Sequence, residues 1–163
     1  MRGAIFMGKR KVVASVLLLM SLIVAYLVWP TDEHRIRKLF KEGVEAAESG
    51  DLEGVIAKVS FNYRDDYGVT YLYLKEILKR EFQRLSDISV EYDGLKILVR
   101  EDEATAELDM RVIATAGNET GYIIGDARAP LHIRFTLEKE RGKWQIIKTE
   151  GLEMVHGARV SVR

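Results

Sequence analysis

Five consecutive residues, Tyr63-Arg64-Asp65-Asp66-Tyr67, hold the densest reactive chemistry in the chain. Two adjacent carboxylates, one of them buried beside apolar walls, make a base with a raised pKa. On that reading Asp65 or Asp66 is the catalytic base and Tyr63 the hydrogen-bond donor. A plainer reading uses the same residues: Asp65 or Asp66 caps the helix that follows or closes the turn, and Arg64 pairs with one of them. Alternation along an extended segment lets only some of Tyr63, Asp65 and Tyr67 point inward together. Tyr63, Tyr67, Tyr71 and Trp144 are the candidate ligand contacts. Trp144 opens a strand, where it either plugs the core or walls a pocket. Tyr71 and Tyr73 cannot both face the core, so one lines a cavity or snorkels.

Other chemistries find no support. The three histidines stand at 34, 132 and 156, with no i,i+4 pair and no cysteine in the chain. The sequence therefore predicts no metal site and no cofactor. It has no Gly-rich phosphate loop, nucleophile elbow or Ser-His-Asp spacing. His132 shares strand parity with Arg134, Thr136 and Glu138, and Asp109 and Arg111 sit likewise on the polar parity of their strand. These residues predict a solvated sheet face, which is also a surface for a second copy. Asn118-Glu119-Thr120 is a formal glycosylation acceptor.

The elements that must position these groups follow one long apolar run. Val12 to Trp29 is 18 residues without a charge, about 27 Å as a helix and close to a bilayer core. Lys9, Arg10 and Lys11 precede it; Asp32 and Glu33 follow. The step predicts a cytoplasmic N-terminus and an exported remainder. The preferred reading is a retained signal anchor at the cell membrane, with Val12, Leu18, Ile23 and Trp29 in the span. A cleaved signal peptide and a buried core helix are the alternatives. Residues 1–11 are then a basic tail, 12–29 the span, 30–152 the domain and 153–163 a C-terminal tail. Four of the 25 basic residues and none of the 25 acidic ones lie in residues 1–30, which leaves the rest acidic by four charges. That is a poor footprint for nucleic acid.

Beyond Pro30 the apolar period is helical. Ile36, Leu39, Phe40, Val44 and Ala47 form one stripe, ending at Ser49-Gly50. Asp51 caps a short second helix with Leu52, Val55, Ile56 and Val59 inward. A third helix runs from about Thr70 to Leu85. From Ile88 the period becomes two. Parity slips at Asp93-Gly94, which marks a bulge or a tight turn; the turn signal at Arg100 to Glu103 favours the bulge. Ala104 to Ala114 alternates next, residues 117–125 read as a loop, and strands at Leu131 to Leu137 and Trp144 to Thr149 close the domain.

The expected class is α+β: a transmembrane helix, then three helices packed on a curved antiparallel sheet of about four long strands. Four stretches in this order carry a resemblance. They are AAESGDLEGVIAKVS, SFNYRDDYG, ILVREDEATAELDMRV and FTLEKERGKWQIIKTE. Together, over about residues 32–151, the chain resembles the nuclear transport factor 2-like superfamily. The resemblance implies a cone, with helices over the concave face and a pocket at the wide end. That superfamily includes ketosteroid isomerases, polyketide cyclases, dehydratases and non-enzymatic binding modules, so fold alone does not select a function. Its enzymes pair a carboxylate with a tyrosine or second acid, which Asp65, Asp66 and Tyr63 match by type only.

The sequence thus predicts a membrane-tethered, exported, non-catalytic binding or assembly module. Its partner is a small apolar ligand, a second copy through the sheet face, or another membrane-associated protein. An isomerase- or dehydratase-type pocket enzyme is the alternative.

Overall fold

Strand β2 is the spine of the domain. In the computed structural model, which describes residues 15–21 and 31–152, β2 (Glu103–Ala116) pairs on one edge with β1 (Leu85–Arg100) along its whole length. Its other edge is shared. The first half pairs with β4 (Leu131–Glu140) and the second with the short β3 (Glu119–Ile124). The last strand, β5 (Lys143–Glu150), pairs with β4. Every pairing is antiparallel.

The sheet has five strands, one more than the sequence reading expected. The stretch read as a loop at 117–125 contains β3. Gly117 takes a left-handed backbone (φ 64°), and Gly117-Asn118 make a two-residue turn that brings Glu119 opposite Ala116. Strand formation there follows from turn geometry and a long partner. The parity slip at Asp93-Gly94 is a bulge, with pairing interrupted between Asp93 and Lys96 and Gly94 at φ 67°. The hairpin at Arg100 to Glu103 forms as expected.

Four helical segments precede the sheet: α1 (residues 15–21), α2 (Asp32–Glu48), α3 (Leu52–Ile56) and α4 (Tyr71–Arg84). The chain divides into two compact units, Met1–Thr31 and Asp32–Arg163. Of the apolar run only α1 is described, and Val16 to Met20 on it are exposed. Val12, Ile23 and Trp29 lie outside the described residues, as do the tails 1–11 and 153–163. Among the described residues no helix is long and apolar enough to cross a membrane.

Helix α2 stops as its sequence requires. Gly50 is left-handed (φ 69°), and the Asp51 N–H bonds the Ala46 carbonyl, closing a Schellman cap. The Asp51 side chain then accepts from Gly54 N at 3.0 Å and starts α3. Ile36, Leu39 and Phe40 of α2 are buried against Ala104, Ala106, Leu108, Ile133, Phe135 and Leu137 of the sheet. Phe40 meets Phe135 edge-on at 5.1 Å. The N-terminus of α2 is pinned to the β4–β5 hairpin. Asp32 accepts from the Trp144 indole N–H and from Lys139 Nζ, each at 3.0 Å. Its carboxyl is held below the usual range, chiefly by the indole bond.

Candidate functional site

Along β2 the inner face is fully buried from Ala104 to Leu108, partly exposed at Met110 and Val112, and buried again at Ala114. Where α2 lies, the register sets Ala104 beside Leu137, Ala106 beside Phe135 and Leu108 beside Ile133. All six are buried. Two rows further along, on the same parity, stand Tyr92–Met110–Leu131 and Val90–Val112–Ile124. These six are only half-buried.

The reason is a mismatch of lengths. Sixteen residues of β1 extend about 53 Å, whereas the seventeen residues of α2 reach about 26 Å. One helix cannot roof that sheet. Glu48, at the end of α2, accepts from the Val90 N–H at 3.0 Å, so the helix ends level with the outer of these two rows, and β1 from Leu85 to Ser89 runs on past it. Helix α4 stands beside the same end, because it passes into β1 at Leu85 with no loop between them. It buries no residue completely; Leu74, Ile77, Leu78 and Phe82 are partly buried, the first three against Ile56, Val59, Tyr63 and Val69.

Tyr92, Met110, Leu131 and Ile124 pack against the edge of the core cluster while keeping part of their surface exposed, and the Glu48 carboxylate lies beside Val90. Each 100 Å² of apolar ligand surface covered there contributes about 2.5 kcal/mol. These chemistry-bearing positions were not singled out from the sequence. The signal that finds them is the excess of strand length over helix length.

The cluster at 63–67 has another place. Residues 58–64 run along the free edge of β5, with Ser60 N–H bonding the Ile146 carbonyl and Arg64 N–H that of Ile147. This segment covers an edge that would otherwise be open for pairing. Asp65 is buried, but its Oδ1 accepts from the Tyr67 N–H at 2.9 Å and the Val69 N–H at 2.8 Å. It closes the loop before α4, while the N-cap residue of α4 is Thr70. Asp66 is exposed and pairs with Lys148 at 2.9 Å, which raises the lysine's pKa. Tyr63 is buried and bonded to the Thr149 side chain; burial is the main cause pushing its hydroxyl pKa up.

The remaining candidates separate. Tyr67 is exposed, and Tyr71 packs on Phe61 with ring centroids 4.5 Å apart and the planes tilted at 46°. Trp144 sits in the core at the start of α2. His132 and Asp109 pair at 2.8 Å on the exposed outer sheet face, beside Arg134 and Glu107. Among the described residues no cluster of His, Asp or Glu is arranged to hold a metal.

No protein-family model matches the chain, and no curated protein matches it. Solved structures do. A nuclear transport factor 2-like protein with a cystatin-like fold from Novosphingobium aromaticivorans superposes with a TM-score of 0.57 at 16% identity, over 91% of this chain and 92% of that one. A protein of unknown function with a cystatin-like fold from Nostoc punctiforme gives 0.57 at 17% identity, over 72% and 87%. A ketosteroid isomerase-like protein from Erwinia carotovora gives 0.54 at 17% identity, over 70% and 89%.

Proposed function

The cystatin-like, nuclear transport factor 2-like fold is the premise from which we infer a function. We propose that the chain is a membrane-tethered, exported and non-catalytic binding module. Its ligand is a small apolar or amphiphilic molecule lying against the open rows. The observation that supports this reading is the partial exposure of six side chains, five apolar and one tyrosine, in register across β1, β2, β3 and β4 at the edge of the core. The tether rests on the uncharged run Val12 to Trp29 and the basic residues ahead of it.

The ketosteroid isomerase-like neighbour favours a second reading, a pocket enzyme with a carboxylate base. Against it stands the engagement of both candidate acids. Asp65 would have to release two backbone donors to act, and Asp66 faces Lys148.

The test is a titration of the Asp32–Arg163 unit with an anilinonaphthalene fluorophore. Wild-type protein should give saturable enhancement. Val112→Glu, in the middle of a row, should weaken binding by about tenfold or more, the equivalent of 1.4 kcal/mol. Ile113→Glu, on the opposite face, should bind as wild type. Equal affinity for wild type and Val112→Glu contradicts the proposal.

A further inference from the structure

The loop before α4 and the first turn of that helix expose a cluster of large apolar side chains. Phe61 is 78% exposed, Leu72 72% and Tyr67 60%, and Tyr73 is also exposed. Tyr71 packs against Phe61 with the rings tilted at 46°. Water-facing aromatics this close together in sequence and space mark a contact surface.

Their position says what they contact. Ser60, next to Phe61, donates its hydroxyl to Glu140 at 2.5 Å. Lys139, next to Glu140, bonds Asp32. The start of α2 and the Phe61 loop are thus pinned to adjacent residues of one hairpin, at one end of the domain. Three residues before Asp32 in sequence the uncharged run ends at Trp29. The same hairpin carries Arg141 and Lys143 at its tip, both exposed. They, and Arg64 beside the cluster, have no ion-pair partner among the described residues.

We propose that this end of the domain docks on a phospholipid bilayer. Phe61, Tyr71 and Leu72 enter the interface, and Arg64, Arg141 and Lys143 meet anionic headgroups. Amphipathic aromatics favour the headgroup level, and unpaired cations near it are drawn to an anionic surface. The inference rests on the tether proposed above and adds an orientation to it: the domain stands on this end, with the β2–β3 turn pointing away. That turn lies at the opposite end of β2, about 46 Å of strand from the hairpin side.

The chain has no cysteine, so single labels are unambiguous. The full chain is reconstituted in vesicles of phosphatidylcholine and phosphatidylglycerol, as Leu72→Cys or Asn118→Cys with a fluorescent label. Both positions are exposed, so neither change disturbs the core. The label at 72 should lose most of its emission to a lipid-borne nitroxide, and the label at 118 little. Adding Arg141→Glu and Lys143→Glu should reduce the loss at 72. If carbonate leaves the chain in the membrane but the label at 72 answers only to an aqueous quencher, the docking is overturned and the tether stands. Shielding of position 72 from both quenchers means that protein covers the patch, and also overturns it. Release of the chain by carbonate overturns tether and docking together.

Discussion

Asp65 is a buried acid whose oxygen serves the backbone. Its Oδ1 takes the N–H groups of Tyr67 and Val69, while the Asp65 N–H bonds the Val69 carbonyl. Removing the carboxylate leaves two donors unsatisfied beside a buried valine. Asp65→Ala should therefore cost about 2–3 kcal/mol, with Asp65→Asn recovering part of it through its remaining carbonyl oxygen. Urea melts of the three proteins measure this. An unchanged midpoint in Asp65→Ala would mean that the carboxylate does not hold the loop. Asp32 supplies a second test. Its folded pKa is lowered, first by the Trp144 hydrogen bond and then by Lys139, with burial opposing. A carboxyl held low in the folded state adds stability that is present above its unfolded pKa and is lost as pH falls through the folded value. Stability should decline as the solution is acidified through and below the usual carboxylate range. Asp32→Asn should show a shallower decline over that window, read from urea midpoints at successive pH values; parallel curves contradict the assignment.

At the scale of elements, α2 and α4 are unequal. Leu39 of α2 is buried in the core under the closed rows, whereas Leu78 of α4 is partly exposed and packs against the smaller cluster of Ile56, Val59, Tyr63 and Val69. Leu39→Ala should cost about 3 kcal/mol and Leu78→Ala about 1 kcal/mol in denaturant melts, because the second leaves little cavity behind. Equal losses would mean that α4 is packed as tightly as α2. Element identity was legible wherever period and punctuation agreed. Ser49-Gly50-Asp51 gave both the stop of α2 and the start of α3, and Arg100 to Glu103 gave the long hairpin. Strand β3 was not legible, because Gly117, Asn118, Gly121 and Gly125 punctuate the stretch like a loop although Thr120, Tyr122, Ile123 and Ile124 favour strand; the Gly117-Asn118 turn and the waiting edge of β2 make it pair.

At the scale of the molecule, the fold was readable from the order of three helices and a switch to period two. The site was not. Sequence reasoning goes to residues with reactive side chains, and here Tyr63, Asp65 and Asp66 are spent on an edge and a loop. The open rows consist of valine, isoleucine, leucine, methionine and one tyrosine, types that read as core in any strand. Only the register, and a helix half as long as the strand beside it, distinguishes them from the buried rows. The central claim is that ligand meets the protein at those rows. Methyl NMR of the Asp32–Arg163 unit during titration with the anilinonaphthalene fluorophore tests it most directly. The predicted result is a set of shifts confined to Val90, Met110, Val112, Ile124 and Leu131, with Ile133 and Leu137 unmoved. Shifts centred on Val59 and Val69 beside the 63–67 segment, or none at all, would contradict it.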